Sequence, residues 1–293
     1  MNSRRLIADG GSTKVHWVIA EENSKLHEFF SDGINPAVML PQTVAQAIAK
    51  ALQTVDLTGV TSVEFYGAGC KGTTACSAVA DALRPFAGNA KMTVASDMVG
   101  VCRALLANKP GVACILGTGA NSCLYNGHEI VANVSPGGFI LGDEGSGAWL
   151  GKNLVADLLK GILPEGITTK FNEKYGLDAA ALIQKIYRPT PNDLPANRFL
   201  ASLAPFLKEN IAVTEIRAIV LRGFREFFHR NVIRYFNEPS CGKNLERSVH
   251  FVGSIALAFA DELRQVAAEE KCEVAQILKS PMDGLVSYND GKL

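Results

Sequence analysis

The feature that most constrains this chain is a glycine-bearing turn that occurs twice, each time directly after an apolar strand. The first copy reads I-A-D-G-G-S-T-K at residues 7–14, and the second reads I-L-G-T-G-A-N-S at residues 115–122. A strand, a turn of small residues and a return strand form a β-hairpin, because glycine accepts the backbone angles that such turns need. Two copies of one opening indicate a chain built from two related halves.

Length and composition agree with two domains. The chain has 293 residues, 47% of them apolar, which is enough to bury one large core or two modest ones. The sequence Asn108-Lys-Pro-Gly lies just before the second hairpin and has the composition of a linker. We therefore expect an N-terminal domain over residues 1–108 and a C-terminal domain over residues 109–293. The tail after residue 281 is compatible with packing on either domain.

Hydrophobic periodicity predicts strands and helices in both halves, and hence an α/β fold. In the first half we expect strands at 5–8, 15–19, 62–67 and 92–95, and helices at 42–55, 73–86 and 98–107. In the second half we expect strands at 112–116, from 123 and at 249–252, a mostly helical stretch over 145–236 and a helix ending near 270. Breaks in the helical stretch are expected near Pro164 and in the proline-rich segment 188–197.

Charge and residue usage give no support to several classes of protein. Basic and acidic residues balance at 29 each, so no strong field would attract nucleic acid or an anionic membrane, and we expect neither as a partner. No apolar run has the length of a secretory signal or a membrane span, which predicts a cytoplasmic protein. The seven cysteines lack C-x-x-C spacing and the five histidines are scattered, so a transition-metal site is not expected.

The first glycine turn has the composition of a phosphate-binding loop. Backbone N–H groups can approach phosphate oxygens where no side chain obstructs them, and hydroxyl and ammonium groups add further donors. Asp9 is suited to hold Mg²⁺ through water, because this ion keeps much of its hydration shell. An ordinary hairpin turn has the same sequence, so both interpretations stay open. The candidate phosphate ligands are Gly10, Gly11, Ser12, Thr13 and Lys14.

The second half contains a similar glycine turn and one further candidate segment for nucleotide binding. Gly117, Thr118 and Gly119 form a second candidate phosphate loop. Gly253 and Ser254 follow a predicted strand and are suited to lie under a base or ribose, although a plain strand-to-helix turn also explains them. No G-x-x-x-x-G-K-[ST] motif is present, so the chain is not a P-loop enzyme.

Polar side chains at element ends are candidates for contact with a substrate. Asp97 follows a predicted strand, where a carboxylate often faces a ligand, and it could accept a proton from a hydroxyl. From the residues alone, capping of the next helix is the favoured explanation of Asp97, and the two roles are compatible; capping also explains Asp143 in L-G-D-E-G-S-G. Asn35 in D-G-I-N-P is suited to bind sugar hydroxyls, or simply belongs to a turn.

Taken in order, these segments resemble one family. D-G-G-S-T-K, G-I-N-P, Y-G-A-G-C at 66–70, S-D at 96–97, L-G-T-G-A-N-S, P-G-G-F-I-L-G-D-E-G-S and V-G-S span residues 6 to about 256. They are similar to segments of N-acetylglucosamine kinases, which are grouped with the activating ATPases of benzoyl-CoA reductase and hydroxyacyl-CoA dehydratase.

The resemblance implies two ribonuclease-H-like domains of the actin-like ATPase type, with a central nucleotide cleft. It implies transfer of the γ-phosphoryl group of ATP, with Mg²⁺, to the 6-hydroxyl of an amino sugar. Asp97 matches the general base of the sugar kinases. Residues 9–14 and 117–122 match the phosphate loops and residues 252–254 the adenosine motif. Asn35, Asn121 and Asp143, together with Asp97, match positions that contact the sugar.

Three alternatives remain at this level. An activating ATPase would bind an iron–sulfur cluster through cysteines, but the cluster-binding cysteine pattern is absent. A regulatory protein could keep the fold without catalysis, although both loops and Asp97 are intact. A kinase for glucosamine or N-acetylmuramic acid would share every motif. The resemblance also makes a homodimer possible.

Overall fold

The chain is described by a computed structural model over residues 4–11, 13–22, 24–236 and 246–288. It divides into two compact units, which we call the first and the second unit. The first unit runs to Asn108 and includes the segment from Ser280 onward, and the second unit comprises Lys109–Lys279. The final segment is thus part of the unit formed by the N-terminal half of the chain.

Each unit is built on a five-stranded mixed sheet. The strands of the first sheet are β1 (Arg4–Gly10), β2 (Lys14–Glu21), β3 (Ser24–Asp32), β4 (Val60–Gly67) and β5 (Lys91–Ser96). Those of the second are β6 (Pro110–Leu116), β7 (Ala120–Asn126), β8 (Ile130–Ala132), β9 (Ser248–Val252) and β10 (Glu273–Leu278).

The two sheets have the same topology. The strand orders are β3-β2-β1-β4-β5 and β10-β9-β6-β7-β8. In each unit, the first three strands in sequence are antiparallel neighbours. A fourth strand then pairs in parallel with the first strand, and a fifth pairs in parallel with the fourth. Strand β6 therefore occupies the position of β1. The repeated hairpin of the sequence marks a repeat of the whole sheet.

Helices cover these sheets. In chain order they are α1 (Pro41–Leu52), α2 (Gly72–Ala87), α3 (Asp97–Leu106), α4 (Gly138–Leu141), α5 (Gly147–Leu159), α6 (Glu165–Tyr175), α7 (Ala179–Tyr187), α8 (Ala196–Ala201), α9 (Ala204–Glu209), α10 (Thr214–Phe227), α11 (Ile233–Tyr235), α12 (Ser254–Ala258), α13 (Ala260–Glu269) and α14 (Met282–Ser287). A π-helical segment, Phe228–Val232, joins α10 to α11. No helix in the described part of the chain is long and apolar enough to cross a membrane.

Alternation along the strands gives the first sheet two buried faces. Leu6, Ala8 and Trp17 pack with apolar residues of α1 and α2. Ile7 and Val18 point to the other face, where α14 supplies the apolar cover. Because successive side chains of a strand point to opposite faces, one short strand serves both layers.

In the second unit, one large core joins the sheet to α5, α10 and α13. Its members include Leu124 and Phe251 from the strands and Leu150, Phe224 and Leu263 from the helices. These side chains are almost completely shielded from solvent.

The structure confirms the predicted hairpins and the helices at 42–55, 73–86 and 98–107, and it adds strands that periodicity did not indicate. Strand β3 is missing from the prediction because most of its residues are exposed, so its sequence lacks an apolar face. Strand β10 is a short edge strand with a mixed pattern. Helix α2 also continues past Pro85, which lies in its last turn.

Candidate active site

The first glycine turn is shaped by close backbone contacts. The Gly11 N–H donates to the Lys14 carbonyl at 2.9 Å, which closes the turn between β1 and β2. A Cβ at Gly10 would lie 2.9 Å from Cζ of Phe65, and the Gly10 carbonyl accepts from the Ala68 N–H at 2.7 Å. Position 10 therefore has room only for glycine, and the loop after β4 is bonded directly to this turn.

The structure describes two of the three polar side chains of the turn. Thr13 and Lys14 are exposed, and the Lys14 ammonium lies 4.5 Å from the centre of the Phe30 ring on β3. Ser12, a candidate phosphate ligand from the sequence, lies outside the described residues. An exposed ammonium beside a glycine turn is suited to bind an anion.

Asp9 and Asp97 lie where the parallel strands of the first sheet end, on either side of β4. Asp9 is paired with Tyr66 across β1 and β4, and Tyr66 is paired with Ala95 across β4 and β5. Asp97 begins α3 immediately after β5. The parallel strands end at the same edge of the sheet, so residues 88 positions apart in sequence meet there.

The charge of Asp97 affects the protonation of Asp9. The pKa of Asp9 is raised to about 7, mainly by burial and also by the neighbouring Asp97, while Lys14 lowers it. Burial also raises the pKa of Asp97, against the lowering effects of the Met98 N–H and of Lys71. Two buried carboxylates close together cannot both ionise without cost, so this pair is prepared to receive a proton or a cation.

Asp97 also makes a hydrogen bond within its own helix. Its Oδ1 accepts from the Met98 N–H at 2.9 Å, and it lies in the first turn of α3, where a negative charge is favourable. The structure places Ser96 at the cap position of α3 and Asp97 in its first turn, so the cap role considered from the sequence is not the one Asp97 has. The hydrogen bond from Met98 occupies one oxygen of this side chain and leaves the other for chemistry.

Asn35 lies against the loop that follows β4. Its Oδ1 accepts from the Ala37 N–H at 3.0 Å, which makes the turn expected from the sequence. A Cβ at Gly69, where φ is +80°, would lie only 2.0 Å from this oxygen. The same loop bonds to Gly10 through Ala68, so Asn35 and the first glycine turn are joined by one short segment.

The second glycine turn is bonded to the start of a helix. The Gly117 N–H donates to the Gly119 carbonyl at 3.0 Å. The Gly117 and Thr118 carbonyls accept from the N–H groups of Gly147 and Ala148 at 2.8 and 3.0 Å. These bonds fix the turn on the first residues of α5, whose Ser146 cap accepts from the Trp149 N–H.

The predicted adenosine segment lies beside this turn. At Gly253 φ is +129°, and a Cβ there would lie 2.2 Å from the Leu116 carbonyl oxygen and 3.3 Å from the Gly117 nitrogen. Ser254 is exposed and begins α12. Two segments more than 130 residues apart, Gly117–Gly119 and Gly253–Ser254, are therefore neighbours in the second unit.

Asp143 is held against the second turn in an unusual conformation. Its Oδ1 accepts from the Ala120 N–H at 3.1 Å, and its own N–H donates to the Pro136 carbonyl at 2.8 Å. Its φ of +55° is rare for a residue other than glycine, and such strain often marks a functional position. Burial raises the pKa of Asp143, the Ala120 N–H lowers it and Glu144 raises it again.

Asn121 is oriented by a residue that the sequence did not indicate. Its Oδ1 accepts from the Ser122 N–H at 2.9 Å and from Nδ2 of Asn133 at 3.0 Å. Nδ2 of Asn133 also donates to the Ser122 carbonyl at 2.6 Å. The hydroxyl of Tyr235 donates to the same carbonyl at 2.8 Å and accepts from the Val134 N–H at 2.9 Å. No local motif marks Asn133 or Tyr235, because their role depends on contacts across the sheet.

A cavity of about 420 Å³ borders this cluster. Part of its wall comes from the π-helical segment, a feature that often occurs at functional sites. A smaller cavity of about 290 Å³, lined by Asn133 and Tyr235, shares Val134, Ser135 and Arg234 with it. The larger cavity is lined, among others, by Ser135, Pro136, Gly142, Glu144, Arg230 and Arg234.

The described residues do not form a closed metal centre. No group of three or more His, Cys, Asp or Glu side chains could hold an ion among them. Asp9 and Asp97 are a pair of carboxylates whose charges repel one another. Mg²⁺ is typically held by one or two carboxylates plus the phosphates of its substrate. The residues present therefore fit a magnesium ion that arrives with a nucleotide.

Comparison with known proteins decides the family. The model of the BadF/BadG/BcrA/BcrD ATPase family matches residues 8–286 of the chain. The chain belongs to this ATPase family. The resemblance inferred from the motifs is therefore confirmed. No curated protein sequence matches the chain.

Solved structures agree with the assignment to the BadF/BadG/BcrA/BcrD family. A candidate N-acetylglucosamine kinase from Porphyromonas gingivalis is 40% identical, with 97% of each chain covered and a TM-score of 0.88. A candidate N-acetylglucosamine kinase from Chromobacterium violaceum is 19% identical, with 98% of each chain covered and a TM-score of 0.71.

A glucokinase of the ROK family from Streptomyces griseus, solved with glucose and AMPPNP, is 15% identical over 99% of this chain and 98% of its own, with a TM-score of 0.53. The similarities to the C. violaceum and S. griseus structures are evidence of the fold alone. Together with the two mixed sheets of identical topology, they confirm the α/β fold of actin-like ATPases and sugar kinases.

Proposed function

We propose that this ATPase-family protein is an ATP-dependent kinase that phosphorylates the 6-hydroxyl of an amino sugar, with N-acetylglucosamine as the first candidate. The observation that carries the proposal is the 40% identity, across 97% of both chains, with the P. gingivalis candidate N-acetylglucosamine kinase. The repeated sheet and the two glycine turns support ATP as the phosphoryl donor.

Asp97 is the general base of this proposal. Its carboxyl group lies at the end of β5, and burial raises its pKa toward the range in which a base works at neutral pH. One oxygen accepts from the Met98 N–H, which fixes the orientation of the carboxylate. A sugar hydroxyl that gives up its proton to Asp97 becomes the nucleophile that attacks the γ-phosphorus of ATP.

Phosphoryl transfer needs accurate positions and neutralised charge more than covalent chemistry from the protein. We assign phosphate contacts to Gly10, Gly11, Ser12, Thr13 and Lys14, and to Gly117, Thr118 and Gly119. Gly253 and Ser254 are assigned to the adenosine. Asp9 would hold Mg²⁺ through water, and when bound this ion would neutralise charge on the phosphates.

We assign the sugar hydroxyls to Asn35, Asn121 and Asp143 in addition to Asp97. Asn133 fixes the side-chain oxygen of Asn121, and the Ala120 N–H fixes that of Asp143. Since ATP is a cytoplasmic metabolite, the proposal also assigns the protein to the cytoplasm.

The test is release of ADP from Mg·ATP with a panel of sugars. The panel holds N-acetylglucosamine, glucosamine, N-acetylmannosamine, N-acetylmuramic acid, glucose and no sugar. We expect turnover that depends on an amino sugar, with the phosphate found on the 6-position by NMR of the product. Turnover with glucosamine or N-acetylmuramic acid alone would replace the candidate substrate and keep the kinase.

ATP hydrolysis that ignores every sugar would overturn the kinase proposal. It would favour an activating ATPase, for which an iron–sulfur absorbance band after anaerobic purification is the direct check. An absence of any ATP turnover, with ATP still bound, would favour a regulatory protein.

A further inference from the structure

Helix α14, near the C-terminal end, lies directly on the helix that begins with Asp97. A Cβ at Gly284 in α14 would lie 2.4 Å from the Ala104 carbonyl oxygen and 2.8 Å from the Ala104 Cβ in α3. No side chain fits at this contact. Met282, Leu285 and Val286 are buried against Ile7 and its neighbours, so α14 is an integral part of the first unit.

Tyr66 holds α3 from the side of the sheet. A Cβ at Gly100 would lie 2.7 Å from the Cβ of Tyr66, so helix and strand touch without an intervening side chain. Residues 97, 100 and 104 are three and seven positions apart, which places them along one face of α3. That face therefore begins with Asp97. Further along it, Gly100 lies against Tyr66 and Ala104 lies against Gly284, with no room for a further side chain at either contact.

Arg5 connects α14 to the sheet. Its guanidinium donates to the Leu285 and Val286 carbonyls, each at 3.1 Å, near the end of α14. It also donates to both oxygens of Glu64, at 2.9 and 3.2 Å. Glu64 in turn accepts from the Tyr66 hydroxyl at 2.9 Å. A paired arginine and carboxylate with this bidentate geometry fixes positions on both sides.

Arg103 completes the connection from the helix side. Its Nη1 donates to the Tyr66 hydroxyl at 2.7 Å. Its guanidinium carbon lies 5.6 Å from the centre of the Tyr66 ring and 5.2 Å from that of Tyr288. Tyr288 follows α14, so the C-terminal segment and the sheet both contact the same side chain of α3.

We propose that the C-terminal segment Met282–Tyr288, together with Tyr66 and Arg103, positions Asp97 for the phosphoryl transfer. These are positioning residues, since they act on the reaction through α3. The inference rests on the proposed kinase function. Its physical basis is that a general base works only at hydrogen-bond distance from its proton, so a shift of α3 by a fraction of an ångström to 1 Å lowers the rate steeply.

Two substitutions each insert a methyl group against this face of α3. Gly100→Ala pushes the helix from Tyr66, and Gly284→Ala pushes it from α14. We expect each to lower kcat by about 10- to 100-fold, with the KM for ATP changed less than about 3-fold. Gly166→Ala in α6 is the matched control, because a Cβ there meets nothing within 4 Å, and its kcat should equal that of the wild type.

A double-mutant cycle separates positioning from a loss of stability. In the Asp97→Asn background the base is already absent, so Gly284→Ala should lower the residual turnover by less than about 2-fold. An equal loss in both backgrounds would overturn the inference.

A second pair of variants avoids any methyl insertion. Tyr288→Phe keeps the ring beside Arg103 and should retain turnover, whereas Tyr288→Leu removes it and should lower kcat by about 5- to 10-fold. Equal turnover in the two would contradict the positioning role. The wild-type assay separates the two proposals: a wild type without sugar-dependent turnover removes the kinase, and an active wild type with unaffected variants removes only the positioning.

Discussion

The carboxylate of Asp97 raises the pKa of Asp9, adding to the effect of burial at the edge of the first sheet. The two residues are brought together by three neighbouring strands, through the pairing of Tyr66 with Asp9 on one side and with Ala95 on the other. Placing one partly buried acid where the charge of another acts on it lowers the stability of the folded protein. This relationship gives a test that needs no substrate.

Asp9→Asn should stabilise the protein at alkaline pH. The pKa of Asp9 is 3.8 in a model peptide and about 7 in the folded chain, so folding becomes less favourable as pH rises between these values. The cost is absent below pH 3.8 and complete above about pH 7. We expect Tm to rise by several degrees at pH 8 and to change little at pH 4, as measured by calorimetry.

The control for that experiment is Asp81→Asn, which changes an exposed carboxyl group in α2 and should leave Tm within about 1 °C. If Asp9→Asn melts at or below the wild-type temperature at pH 8, the carboxyl pair is not strained. Asp9→Asn should also lose most kinase turnover, because it removes the proposed magnesium ligand.

Asp97→Asn and Asp97→Ala should each lower turnover by roughly 10²-fold or more, in line with loss of a general base. Asparagine still offers an oxygen to the Met98 N–H, so this first-turn hydrogen bond is kept in Asp97→Asn. Steady-state kinetics with the preferred sugar measure the loss. Near-normal turnover in Asp97→Asn would remove Asp97 from this role.

Gly253→Ala tests whether the adenosine segment and the second glycine turn depend on one backbone contact. The new Cβ would lie 2.2 Å from the Leu116 carbonyl oxygen, at a φ of +129°. We expect a loss of about 3 kcal/mol or more in the free energy of unfolding, from steric overlap and backbone strain together. Urea unfolding measures it.

Gly161→Ala is the comparison for that prediction. Gly161 also has a positive φ, +64°, but a Cβ there would meet nothing within 4 Å. Its cost should be limited to backbone strain, about 1–2 kcal/mol. Similar losses in the two variants would show that the contact with Leu116 is dispensable.

Local patterns predict the hairpins and most helices because their residues interact with near neighbours. The turn at residues 9–14 and the strand ends at Asp97 and Gly253 are readable for the same reason. Strand β3 is different: it is an edge strand with most of its side chains exposed, so its β structure comes from pairing with β2. A tertiary contact of this kind leaves no periodicity.

The candidate site shows the same contrast between local sequence patterns and tertiary contacts. The motifs identify Asp9, Asp97, Asn121 and Asp143 one at a time, but the proximity of Asp9 to Asp97 follows only from the strand order. Likewise, the packing of α14 on α3 joins residues 180 positions apart, through Gly284 and Ala104. Nothing in the tail sequence marks that partner.

Asn133 is the residue through which the unpredicted part of the site can be tested. Its amide donates to Asn121 Oδ1 and to the Ser122 carbonyl, and it thereby fixes which way the Asn121 amide faces. Asn133→Ala leaves Asn121 free to rotate and leaves a carbonyl with one donor fewer. We expect the KM for the sugar to rise about 5- to 10-fold, since one hydrogen bond contributes about 1 kcal/mol, while the KM for ATP stays unchanged.

Asn172→Ala, an exposed asparagine of α6, is the matched control and should leave both KM values unchanged. Asn133→Asp is the sharper variant: it replaces the donor with an acceptor, so two carbonyl-type oxygens and a carboxylate oxygen would face one another. Its sugar KM should exceed that of Asn133→Ala. If both variants bind sugar like the wild type, Asn121 is oriented without Asn133, and the hydroxyl contact assigned to Asn121 must be made by its backbone or by another residue.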